Sequence, residues 1–126
     1  MKILDLLKDV SIDVNATCSN KDEAIDTLVS LMAKQGNLND QDVYKQGIYA
    51  REELSTTGIG EGIAIPHAQS EAVNAPGLAA MVVKDGVDYQ SLDNQPAKLF
   101  FMIAVPKTGG NEHLQILVML SQMLMD

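Results

Sequence analysis

The sequence predicts an α/β fold: a mixed sheet flanked by helices, an α/β/α sandwich. Two observations predict it. Segments with apolar residues at helical spacing occur in the first half, and short apolar runs bounded by Gly, Asp and Pro occur in the second. Both kinds share one chain of 126 residues, a length suited to one compact core.

In order along the chain, Ile3 to Leu7 is short and apolar, about one helical turn. Ile12-Asp13-Val14 alternates apolar with polar and reads as a short strand. Ser19 and Asn20 ahead of Asp22 and Glu23 form a capping-box pattern, after which Ala24, Ile25, Leu28, Leu31 and Met32 keep helical spacing until Gly36. A second helix is expected from Asn39 or Asp40 to about Leu54, with Tyr44, Gly47, Ile48 and Arg51 on one face. From Ser55 the run Thr56-Thr57-Gly58-Ile59-Gly60-Glu61-Gly62 is too glycine-rich for a helix and leads into Ile63-Ala64-Ile65-Pro66-His67.

Leu78 to Val83 and Leu99 to Val105 read as buried strands, with Val87-Asp88-Tyr89 as a short edge strand between them. Beyond Gly109-Gly110, Asn111 can cap a last helix that starts at Glu112 and His113. Met119, Leu120, Met123, Leu124 and Met125 crowd the end of that helix. The domain expectation is therefore a single unit over 1-126, truncated at its C-terminal helix, with the apolar helix end awaiting a further element or a partner.

Composition removes several function classes. Asp plus Glu number 17 against 9 Lys plus Arg, a formal charge of -8, so nucleic acid is an unsuitable partner and a basic protein a better one. The single Cys18 excludes an internal disulfide and a cysteine-rich zinc site. The charged start of the chain is unlike a signal peptide, and no apolar run approaches the ~18 residues of a membrane span, so the cytoplasm is expected. Phosphate-binding loop, dinucleotide fingerprint, nucleophile-elbow and zincin motifs are missing, and no cofactor or metal is implied.

Two histidines remain. His67 follows Pro66, which ends a strand and holds the next side chain at the sheet edge beside glycine-rich backbone able to admit a phosphate. Residue type alone favours the plainer reading, a surface or packing histidine. His113, in the first turn of a helix, lies where free N–H groups and the helix dipole favour an anion and a neutral imidazole. Arg51, on an apolar face, either snorkels or points at an anion. Glu61 either accepts a histidine N–H or is a solvated loop carboxylate. Cys18 reads as a bystander and the methionines at 102, 119, 123 and 125 as core filling or a pliable surface. Residue types and spacing alone stop at a small α/β domain with a histidine site.

The segment Arg51-Glu52-Glu53-Leu54-Ser55-Thr56-Thr57-Gly58-Ile59-Gly60-Glu61-Gly62-Ile63-Ala64-Ile65-Pro66-His67-Ala68 closely resembles the active-site signature of the fructose/mannitol-type IIA domains of the sugar phosphotransferase system. Gly110-Asn111-Glu112-His113-Leu114-Gln115 resembles the second histidine motif of that family. The resemblance implies that His67 accepts a phosphoryl group from the phosphocarrier HPr and passes it to a cysteine of a IIB domain. It further implies that His113 and Arg51 support the site, with Glu61 on a motif position of less defined role. Partners would be HPr, IIB and, indirectly, the membrane through a IIC permease. Fructose is the expected sugar, from the run Leu78 to Val105. A nitrogen-regulatory paralogue sharing the His67 motif, and a non-catalytic interaction domain, are the competing readings.

Overall fold

The computed structural model describes residues 3–108 together with 115, 116, 119, 120 and 122. Their order is α1 (Ile3–Leu6), β1 (Leu7–Asp13), α2 (Lys21–Ala33), α3 (Gln41–Leu54), β2 (Gly58–Gly60), β3 (Ile63–Ala64), β4 (His67–Ser70), β5 (Gly77–Val87) and β6 (Ala97–Pro106). Six strands form one mixed sheet in the order β1-β5-β6-β3-β2, with β4 also paired to β6. β1 runs parallel to β5, β5 antiparallel to β6, and β3 and β4 follow one another parallel to β6.

The helices form where the capping chemistry anticipates them. Asn20 is extended and its side chain accepts the Glu23 N–H at 2.9 Å, so α2 begins at Lys21. Asp40 does the same for Val43 at 3.1 Å and starts α3. One face of the sheet is buried by Ile25, Leu28, Val29 and Met32 of α2 and Tyr44 and Ile48 of α3, packed on Met81, Phe100, Met102 and Ala104. Each large apolar side chain so buried contributes about 1.5–3 kcal/mol. The other face carries Leu6, Ile65, Leu78, Ile103 and Val105, covered by Ile116 and Leu120. Gln115, Ile116, Met119, Leu120 and Gln122 are helical, in agreement with the expected last helix, whereas its cap at Asn111 and the apolar end at Met123 to Met125 lie outside the described residues.

Two sequence expectations are corrected. Val87-Asp88-Tyr89 is not a separate edge strand: Val87 closes β5 opposite Ala97, and Tyr89 turns into the core against the Phe100 ring at 5.6 Å. Burying an aromatic ring outweighs extending a three-residue strand at the sheet rim. The glycine-rich run, too rich in glycine for a helix, supplies β2: Gly58–Gly60 pairs antiparallel with β3. Its reversal needs positive φ at Gly60 (99°), Glu61 (58°) and Gly62 (77°), which explains the flanking glycines. Finally, His67 opens a strand where Pro66 was expected to leave it beyond one.

Candidate functional site

The site is built around the interruption between β3 and β4. Ile63 and Ala64 register with Leu99 and Phe100, and His67 to Ser70 register with Ile103 to Pro106, so one extended path is broken at Ile65 and Pro66. Proline contributes no N–H to the ladder, but its carbonyl still accepts the Ile103 N–H at 3.0 Å. The Ile65 N–H bonds instead to the Thr57 carbonyl at 3.0 Å. The Ile65 carbonyl lies 2.8 Å from His67 Nδ1. A carbonyl oxygen can only accept, so this contact places the proton of a neutral imidazole on Nδ1 and the lone pair on Nε2.

Side chains alternate along β4. Ala68 faces α3, where an ideal Cβ at Gly47 would lie 3.5 Å from the Ala68 Cβ. His67, half-buried, shares the opposite face with Ile103, its register partner, and thus with the cluster covered by Ile116 and Leu120. His113 precedes Ile116 by three positions in the sequence; its own placement lies outside the described residues. Tyr44 of α3 donates to the Ile103 carbonyl at 2.9 Å, anchoring the helix to β6 at the level of the histidine.

Arg51 stands one turn beyond Gly47, on the side of α3 that meets β4. Its Nη1 donates to the Ser55 carbonyl at 2.8 Å and approaches Ser55 Oγ at 3.4 Å, which folds the guanidinium over the helix C-terminus. The remaining guanidinium donors can serve an anion.

Glu61 is placed elsewhere. It sits exposed in the turn between β2 and β3, its N–H bonded to Asp93 Oδ2 at 3.0 Å. Ile63 and His67 register four residues apart along β6, roughly 13 Å, and Glu61 lies beyond Ile63. The task of accepting the imidazole N–H, considered for Glu61, falls to the Ile65 backbone carbonyl.

An open cleft of about 590 Å³ is lined by Asn15, Cys18, Ser19, Glu23, Lys84 and Asp85 among others. It belongs to the opposite end of the sheet: Leu78 registers with Ile103, and Val83 is five residues, roughly 17 Å, further along β5. Burial raises the Cys18 thiol pKa above its ordinary value, partly offset by Thr27, so Cys18 has no activated-nucleophile character. Sequence reasoning missed the polar group Lys21, Glu52, Thr57 and Tyr89 behind Arg51, because Glu52 between Arg51 and Glu53 looks like an ordinary charge on a solvated helix face.

The family description "Phosphoenolpyruvate-dependent sugar phosphotransferase system, EIIA 2" matches residues 5–126. The chain belongs to that family of phosphotransfer proteins. It is 50% identical over 125 residues to the PTS system fructose-specific EIIABC component of Bacillus subtilis, covering 99% of this chain and 20% of that protein. This IIA chain is 44% identical to the fructose-specific EIIA component of Haloferax volcanii, covering 85% of this chain and 70% of that one. A nitrogen regulatory protein of Pseudomonas aeruginosa is 32% identical, covering 88% and 72% respectively. Among solved structures, IIA mannitol from Escherichia coli superposes with a TM-score of 0.80 at 30% identity, covering 94% of this chain and 83% of that one. The same TM-score of 0.80, at 28% identity with 96% and 84% covered, is found for IIAMTL in its complex with phosphorylated IIBMTL. These likenesses agree with the mixed sheet and the helices on its two faces. No helix among the described residues is long and apolar enough to cross a membrane.

Proposed function

We propose that this IIA chain carries a phosphoryl group on Nε2 of His67, taking it from HPr and delivering it to the cysteine of a fructose-type IIB domain. The observation that carries the reading is the 2.8 Å contact between His67 Nδ1 and the Ile65 carbonyl, which leaves the lone pair of the neutral ring on Nε2. In the transfer the P–N bond of the donor phosphohistidine breaks as the bond to Nε2 forms. Nδ1–H keeps its bond to the carbonyl, which stabilises the positive charge of the phosphorylated ring.

Charge spread over the phosphoryl oxygens is met by Arg51 and by a neutral N–H of His113, without a metal. The position of Glu61 fits a rim carboxylate facing a basic partner better than a partner of the imidazole. The formal charge of -8 suits electrostatic steering toward a basic donor and disfavours nucleic acid. The chain acts in the cytoplasm and meets the membrane through the IIC permease. Fructose is the sugar supported by the fructose-specific relatives, and the IIAMTL–IIBMTL complex supports a IIB partner.

The test is phosphorylation with enzyme I, HPr and phosphoenolpyruvate, then a chase with a fructose-type IIB domain. Phosphorus and nitrogen NMR should place acid-labile phosphate on His67 Nε2, and the label should move to IIB. His67→Ala should accept none; a folded His67→Ala protein that still takes label refutes the assignment. The likeness to nitrogen regulatory proteins favours a second reading, a signalling IIA. Label that stays on His67 in the presence of active IIB selects it.

A further inference from the structure

Glu52 is a carboxylate that the proposed chemistry does not use, yet its side chain is only 5% exposed. Burying a charge is costly unless it is paired and fully hydrogen-bonded, and here it is both. Lys21 Nζ lies 3.0 Å from Oε1. The Thr57 N–H donates to Oε1 at 3.1 Å, and the Thr57 hydroxyl donates to Oε2. Tyr89 closes the group, its hydroxyl 3.4 Å from Thr57 Oγ1 and its ring 4.5 Å beneath the Lys21 ammonium. Three separate parts of the chain thus meet on one carboxylate: the start of α2, the end of α3 with the segment after it, and the connection between β5 and β6.

Glu52 and Thr57 bracket the short segment that joins α3 to β2, and the carboxylate clamps its two ends together. Inside the clamped segment, Ser55 supplies the carbonyl that Arg51 holds at 2.8 Å. Past it, Thr57 supplies the carbonyl that fixes Ile65 at 3.0 Å, and Ile65 supplies the carbonyl that fixes His67 Nδ1 at 2.8 Å. Each link is a single hydrogen bond to the next residue's backbone or ring. Displacing Thr57 therefore displaces both the guanidinium anchor and the carbonyl that orients the imidazole.

We infer that Glu52 is a positioning residue that sets His67 and Arg51 relative to each other through Thr57 and Ile65. This rests on His67 being the phosphoryl acceptor. A misplacement of about 1 Å in an in-line transfer can cost up to roughly a hundredfold in rate, so the arrangement has kinetic consequences.

The test compares the full chain with Glu52→Leu, Glu52→Gln and Val29→Ala, the last a buried change about two turns of α2 beyond Lys21 that serves as a stability control. Glu52→Leu removes every acceptor and should slow phosphorylation at saturating HPr by about tenfold or more, with little change in the KM for HPr. Glu52→Gln retains a carbonyl for the Thr57 N–H and should recover the rate to within about threefold of wild type. Val29→Ala should keep the wild-type rate. Two-bond nitrogen–proton NMR reads the orientation directly: the Nδ1–H tautomer of His67 should dominate in wild type and lose share to Nε2–H in Glu52→Leu. A folded Glu52→Leu protein with wild-type kcat and unchanged tautomer overturns the inference, as does an equal rate loss in Val29→Ala. Should Glu52→Leu fail to fold, Thr57→Val keeps the backbone N–H and removes the hydroxyl; an unchanged tautomer and rate there overturn it too. If wild type takes no phosphate, the carrier reading fails, while the tautomer comparison still decides the role of Glu52.

Discussion

Removing the Tyr44 hydroxyl with Tyr44→Phe isolates the bond that pins α3 to the strand behind His67. Tyr44 is fully buried, and its hydroxyl donates to the Ile103 carbonyl at 2.9 Å. The ring stays in the core with Phe, so the apolar contribution is retained and no cavity larger than an oxygen opens. A net intramolecular hydrogen bond is worth about 0.5–1.5 kcal/mol, and full burial of the carbonyl puts this one at the upper end, about 1.5 kcal/mol. For a domain of 126 residues that corresponds to a loss of about 5 °C in Tm, or about 1 M in the urea midpoint with unchanged slope.

The pH dependence supplies a second signature. Burial raises the Tyr44 phenol well above its usual value of 10.0. The neutral form is the one that folding favours. Its contribution is fully present below the unfolded-state value near 10 and is lost as pH rises toward the higher folded value. Wild type therefore loses stability above pH ~10 by a component that Tyr44→Phe lacks, and the gap between the two should narrow there. Urea titrations of both proteins at neutral and alkaline pH measure this. A Phe variant within about 0.2 M of the wild-type midpoint at pH 7, or a gap that widens with pH, refutes the reasoning.

Two further changes probe the surroundings of the site. At Gly58 an ideal Cβ would lie 2.4 Å from Ser91 Oγ and 2.9 Å from Ser91 Cα, so Gly58→Ala must push the backbone connecting β5 to β6. It should cost about 2–3 kcal/mol by urea unfolding, and a cost below about 0.5 kcal/mol would mean that this connection yields freely. Cys18, its thiol raised chiefly by burial, should react slowly with iodoacetamide at pH 7 and accelerate only on the alkaline side of an ordinary thiol. Mass spectrometry across pH reads the modified fraction, and a half-maximal rate below pH ~8 contradicts that environment.

Local chemistry made much of the fold legible. Asn20 and Asp40 cap helices because each offers an oxygen to an N–H three residues on, a relation contained within one turn of chain. The apolar runs at Leu78 and Leu99 form strands because their alternating sides are buried on both faces of the sheet. Tyr89 and Glu52 were not legible. Their environments are made by residues distant in sequence, Phe100 for the one and Lys21 for the other. The partner of His67 Nδ1 was not legible either, because a backbone carbonyl leaves no mark in residue identity.

Residue identity and spacing suffice for the family, the motif histidine and the alternation of helix and strand. Tertiary structure decided which nitrogen of His67 carries the lone pair, that Glu61 stands away from the imidazole, and that a buried carboxylate holds the segment behind Arg51. Those outcomes depend on where Pro66 interrupts pairing with β6 and on which backbone groups are left to bond across the gap. Backbone hydrogen bonds between strands are common to all residue types, so their register emerges only when the sheet is assembled.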